Sequence, residues 1–177
     1  MYHLFDRLED STDVQDQSTY AAVRATLHRA EGRHEEALAA GLLALEAAPV
    51  LGPSFQGVKQ AVVEALESAL ALGDHAKVEE LYAFVDSIPF ASASPYMAAQ
   101  VQRLRARTAG DPEGLLAAAQ EFRQIGTPFW TATTLLEHAE LTGDDASRDE
   151  ALKTFDRLGA TPWADRAAAT HRDEIVA

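Results

Sequence analysis

The sequence predicts an all-α protein, and three observations carry that prediction. Alanine- and leucine-rich stretches place apolar residues three and four apart along most of the chain, the spacing that gives a helix one buried face. No run of alternating β-branched residues reaches five positions, so strand signals are nearly absent. Glycine and proline fall at Gly32, Pro49 to Pro53, Gly73, Pro89 to Pro95, Gly110 to Pro112, Gly126 to Pro128, Gly143 and Gly159 to Pro162, where they end one element and begin the next. These breaks have a rhythm: Gly110 to Gly143 and Gly126 to Gly159 are steps of 33 residues, Gly73 to Gly110 is 37 and Gly32 to Gly73 is 41. A period in the mid-thirties with a helix on each side of a glycine turn describes an array of antiparallel helix hairpins.

Taken in order, the breaks define a short helix from about Tyr2 to Glu9 and then about four hairpins. The first pairs Gln17–Ala30 with His34–Ala47, the second Phe55–Leu72 with His75–Ser87. The third pairs Pro95–Ala109 with Pro112–Ile125, and the fourth Pro128–Leu141 with Ala146–Leu158. A capping helix follows from about Pro162 to Ile175. The hairpin units span approximately 17–49, 53–89, 95–126 and 127–159, the terminal helix 162–175, and the whole chain, 1–177, reads as one domain.

Two phrases nearly repeat: FRQIGTPFW from Phe122 to Trp130, and FDRLGATPW from Phe155 to Trp163. Each phrase is expected to close one helix and open the next. Glycine stops the first helix in the left-handed conformation that it alone adopts cheaply. Thr-Pro then supplies an N-cap and a rigid first turn. Because Trp130 and Trp163 recur with the structural period, they are expected to pack contacts between repeats; an interface anchor is the competing role.

Composition narrows the function classes. The net charge of −13 and the absence of a dense basic stripe argue against nucleic acid, because a polyanion is repelled at long range. Of Arg103, Arg105 and Arg107, only Arg103 and Arg107 share a helix face. The chain has no cysteine, which excludes disulfides, thiolate metal sites and thiol nucleophiles. No apolar run approaches the roughly 20 residues that span a bilayer, and MYHLFDRLED has no signal-peptide core, so a cytoplasmic protein is expected.

EGRHEEALAAGLLALEAAP, Glu31 to Pro49, resembles the second half of a tetratricopeptide repeat. Gly32 takes the turn, Ala37 and Ala44 the small positions and Pro49 the terminal proline, while Ala25 takes the small position of the preceding helix. The pattern departs from the family at Gly41, where a large apolar residue is usual, and at Val78 and Leu115, which replace the alanine equivalent to Ala37. From about Asp10 to Ala167 the chain is similar to the C-terminal repeat tail of bacterial signal-transduction ATPase regulators, of the nucleotide-cyclase-associated or LuxR type. VVEALESALALGDHAKVEELYAFVDSIP, FRQIGTPFWTATTLLEHAEL and FDRLGATPWADRA carry that likeness. Between Gly143 and Phe155 the chain is about one helical turn shorter than such tails, so the second helix of the fourth hairpin is expected to be short.

The resemblance implies a right-handed superhelix of hairpins whose concave face, lined by the first helix of each pair, binds a peptide or helix. Phasing from Gly32, Gly73, Gly110 and Gly143 puts Thr26, Arg29, Glu67, Gln100, Arg107, Thr133 and Glu137 near that groove. Leu4, Phe5 and Leu8 form an apolar stripe on the first helix; a terminal cap is normally polar outside, so these residues are expected to support self-association as a homodimer. The expected function is a non-catalytic interaction or scaffold module, a regulatory tail of a signalling or transcription-regulating protein. The alternatives are a small-molecule effector sensor, and the tail of a cyclase or ATPase whose catalytic domain lies elsewhere.

Catalytic and cofactor motifs do not compete with this reading. GPSFQGVKQ, Gly52 to Gln60, has two glycines at phosphate-loop spacing, but Val58 precedes Lys59 and no Ser or Thr follows it,. Asp10, Asp13 and Asp16 miss calcium-loop spacing and lack its glycine,; helix capping accounts for them, and for GDDASRDE from Gly143 to Glu150. No two of the six histidines stand four apart, and no G-x-S-x-G elbow is present. No catalytic residue, cofactor or metal is therefore expected.

Overall fold

The computed structural model describes residues 11–89 and 94–175, with side chains of the last helix as far as Ala169. Every regular element among them is helical: α1 Val14–Ala30, α2 His34–Leu45, α3 Ala48–Leu51, α4 Gln56–Leu72, α5 His75–Asp86, α6 Pro95–Ala109, α7 Pro112–Ile125, α8 Pro128–Thr142, α9 Asp145–Leu158 and α10 Thr161–Ile175. The expected helix over Tyr2–Glu9, with its self-association residues Leu4, Phe5 and Leu8, lies outside the described residues. No described helix is long and apolar enough to cross a membrane.

Aspartates start the helices. Asp13, Asp74, Asp111 and Asp144 each accept backbone N–H bonds from the first turn of the helix that follows, satisfying donors that have no intrahelical partner. Helix ends close with equal regularity. In the repeated phrase, the Gly126 N–H bonds the Arg123 carbonyl at 3.2 Å and the Thr127 N–H bonds Phe122 at 3.0 Å; Gly159 to Asp156 at 3.1 Å and Ala160 to Phe155 at 2.9 Å repeat the pattern. This paired closure needs a left-handed residue, and Gly126 and Gly159 take it at φ +81° and +67°.

The Thr-Pro expectation is corrected. Thr127 makes no side-chain cap to α8; its hydroxyl donates backwards to the Phe122 carbonyl at 3.1 Å. Thr161 is not a cap either, because α10 already includes it. The 33-residue step pairs Thr127 with Ala160, so the two Thr-Pro dipeptides are one position out of register. The conserved geometry is glycine closure plus tryptophan, not the dipeptide.

The chain falls into two compact units, Met1–Met97 and Ala98–Ala177, with the division inside α6. In the first, α1, α2 and α4 pack against one another and α5 packs on α4. Helix α4 is buried nearly all round: Val58, Ala61, Val62, Val63, Ala65, Leu66 and Ala69 are inaccessible to solvent, as a central helix requires. Two glycines permit the close approach. A Cβ on Gly41 would stand 3.2 Å from Ala65 Cβ, and one on Gly57 would stand 2.8 Å from Ser18 Oγ. Gly41, a departure from the tetratricopeptide pattern, is therefore where α2 meets α4 backbone to backbone.

In the second unit α8 is central, with Thr131 to Ala139 buried without interruption,. Its threonines return their hydroxyls to the helix: Thr131 to Thr127, Thr133 to Phe129 and Thr134 to Trp130, at 2.8–3.2 Å, so burial leaves them satisfied. Helices α7 and α9 pack on α8, and α10 packs on α9. Helix α9 matches the expected Ala146–Leu158 to within one residue and is not short beside its neighbours. It has 14 residues, as many as α7, and buries Ala151 and Phe155 completely. The aspartate cap at Asp144 starts it one residue earlier than the sequence spacing implied.

The recurrent tryptophans do the same job twice. Phe122 stacks on Trp130 with centroids 6.3 Å apart, and Phe155 stacks on Trp163 at 5.8 Å, both with a 29° interplanar angle. Phe129 meets Trp130, Phe155 and Trp163 edge to face, with centroids 5.3–6.0 Å apart. The phrase thus welds the end of one helix to the start of the next through aromatic contact.

Candidate functional site

The first helices of successive hairpins are joined by charge. In the first unit Arg29, in the last turn of α1, donates through Nε to Glu64 of α4, a carboxylate buried completely. Gln60 Nε2 donates to the other Glu64 oxygen at 2.5 Å and reaches Thr26 Oγ1 at 3.4 Å. Thr26 in turn donates to the Ala22 carbonyl at 3.2 Å. Thr26 and Arg29, both expected at the groove, therefore share one network with Gln60 and Glu64, which the glycine phasing did not select. Glu67 lies half-buried one turn further along α4.

Beside this network runs an apolar-floored groove of about 290 Å3 between α1 and α4. Thr19, Ala22, Val23, Leu27 and Gln56 line it, and the surface exposed to it is almost wholly apolar, Thr26 and Gln60 beside it being bonded within the network. Leu27 is 51% exposed, a large apolar side chain held in the open by a helix anchored on its opposite face.

The second unit carries the deeper network. Arg107 Nη1 donates to Glu137 Oε1 at 2.9 Å, and Arg103 Nε lies 3.0 Å from Glu137 Oε2 in an ion-pair contact. Arg103 also donates to Gln100 Oε1 at 2.7 Å and holds its guanidinium 5.0 Å from the Trp130 ring centroid. The structure thus joins Gln100, Arg107 and Glu137 through Arg103. Gln100, Arg103, Thr133 and Glu137 are buried, whereas Arg107 keeps a partly open side chain. About one turn further along α8, Arg166 of α10 grips Glu140 with two bonds, at 2.8 and 2.6 Å.

A serine, a histidine and an aspartate meet where α8 passes into α9. His138 Nδ1 is 3.0 Å from Ser147 Oγ, and the Ser147 N–H donates to Asp144 at 2.9 Å. The Ser147 hydroxyl and N–H hold the Asp144 carboxyl below its ordinary range, aided by charge on His138. A nucleophilic triad places the imidazole between serine and carboxylate; here the buried serine stands in the middle. The cluster is a helix-start clamp. Among the described residues no three His, Asp or Glu side chains converge as a metal site.

The polar residues thus divide by access: Thr26, Arg29, Glu67 and Arg107 are reachable, while Gln100, Thr133 and Glu137 face inward. Comparison with protein-family models, with curated proteins and with solved structures gives no match.

Proposed function

We propose that this chain is a non-catalytic interaction module that holds a peptide or helix of a protein partner against the first-helix face of its hairpins. The α1/α4 groove is the observation that carries this reading. Its lining, which includes Ala22, Val23, Leu27 and Gln60, is almost wholly apolar, the kind of groove into which an amphipathic helix lays its apolar face. Its volume is at the lower end of small-molecule pockets and it is open along the helices, which favours an extended ligand over an enclosed effector.

The mid-thirties period, the glycine closures and the tetratricopeptide-like Glu31–Pro49 stretch support a right-handed tetratricopeptide-like array. The phrase similarity supports a regulatory tail of a cytoplasmic signalling or transcription-regulating protein. An acidic surface suits a protein partner with basic flanks and disfavours nucleic acid.

Capture from cells of the source organism tests the proposal. The wild-type chain is expected to retain a defined protein that Leu27→Asp loses at least tenfold, with helicity unchanged by circular dichroism. Undiminished capture by Leu27→Asp and by Gln60→Ala would remove the groove from the account.

A further inference from the structure

The surface of the α1/α4 groove is almost wholly apolar, so one oriented polar atom at its edge weighs heavily in which apolar segments it accepts. Gln60 supplies that atom. Its Nε2 donates to Glu64 Oε1 and reaches Thr26 Oγ1 at 3.4 Å, which occupies both amide hydrogens. Neither neighbour can donate in return. Glu64 is ion-paired to Arg29, and a carboxylate offers acceptors alone; the Thr26 hydrogen goes to the Ala22 carbonyl. The reversed amide would set oxygen against oxygen twice, so the network fixes which way the amide points. Gln60 Oε1 is thereby turned outward. Among the described residues no donor meets it, and it keeps contact with solvent.

We propose that Gln60 is the specificity-determining residue of this groove, and that the segment it selects is an amphipathic helix with a lysine or arginine at the border of its apolar face. The proposal rests on the groove reading above. A partner laid over Val23 and Leu27 covers the Gln60 oxygen as well, and an acceptor stripped of water and given no donor costs free energy. The partner must therefore bring a donor. The net charge of −13 selects a cationic one, because a positive flank is drawn in at long range and a charged donor makes the stronger bond. Glu64 does not take that cation itself: it is completely buried, and its two oxygens already accept from Gln60 and Arg29. Thr19 and Gln56 also line the groove, but no bond among the described residues fixes their polar atoms. Each can turn to suit a donor or an acceptor, so the discrimination falls to Gln60.

A phage-displayed library of helical peptides, with leucine at i, i+3, i+4 and i+7 and the bordering positions randomised, tests this on the full chain. Wild type is expected to enrich lysine or arginine at one fixed bordering position. Gln60→Met keeps the length of the side chain, removes the acceptor and should lose that enrichment. Fluorescence anisotropy of a selected peptide and its norleucine-for-lysine counterpart should show a several-fold preference for lysine on wild type. That preference should collapse on Gln60→Met, with helicity unchanged by circular dichroism. The same lysine preference on Gln60→Met would assign it to overall charge and overturn the proposal. Enrichment of leucine-faced peptides with no preference at the border would overturn it too, and leave the groove in place. No enrichment on wild type beyond that on Leu27→Asp would remove the groove itself, and the proposal with it.

Discussion

Arg103 and Glu137 are both buried, and their charged atoms stand 3.0 Å apart between α6 and α8. Truncating one member of such a pair leaves the other charge uncompensated, at a cost of about 3–5 kcal/mol. Glu137→Ala should therefore lower unfolding stability by roughly that amount in urea denaturation. Arg107, being partly open, shares the loss. The combined Arg103→Met/Glu137→Leu variant should lose clearly less than the sum of its single changes. Additive losses would show that the two charges do not act as a pair.

Within each aromatic pair the phenylalanine is buried and the tryptophan half-buried, and stability should follow burial. Phe155 is fully buried, whereas Trp163 is half-buried beside it. Phe155→Ala should cost about 3–5 kcal/mol, the range for a large aromatic in a core. Trp163→Ala should cost less although it removes more atoms. Thermal denaturation of the two variants would show the order; a larger loss at Trp163 would make that ring a core residue rather than a cover.

Gly41 invites the family-like change. A Cβ there already stands 3.2 Å from Ala65 Cβ, so Gly41→Leu should destabilise by about 1–3 kcal/mol through overpacking. Unchanged or increased stability would contradict the close approach of α2 to α4.

Asp144 predicts a pH effect of fixed sign. Its folded carboxyl titrates below the ordinary value because Ser147 bonds the charged form. A depressed folded pKa contributes stability that is present above the unfolded value and lost as pH falls through the folded one. Asp144→Ala should therefore lower Tm at neutral pH, and the gap to wild type should shrink as pH is lowered below about 4. Asp144→Asn, still a competent cap, should lose less than alanine at neutral pH. A gap that widens in acid would reverse the assignment.

Glycine and proline made the helices readable. The bounds of α6 and α7, Pro95–Ala109 and Pro112–Ile125, match the sequence reading because Pro starts a helix and Gly stops it with little ambiguity. The single turn Ala48–Leu51 escaped notice because Pro49 reads as a terminator, yet it sits within the first turn, where a missing N–H costs nothing. The site was only half readable. Arg29 and Arg107 each lie three residues before their turn glycine, so phasing found them. Gln60, Glu64 and Arg103 depend on how one helix is levelled against the next, and that register is fixed by contacts such as Gly57 against Ser18, which no single-helix pattern contains.

The central claim is that the α1/α4 groove meets a protein partner. A photo-reactive amino acid placed at position 27 in living source cells tests it most directly, with position 116, exposed on α7, as reference. The account predicts a discrete cross-linked protein from position 27 that is absent from position 116. Identical cross-linking patterns from both positions, or none from position 27, would contradict it.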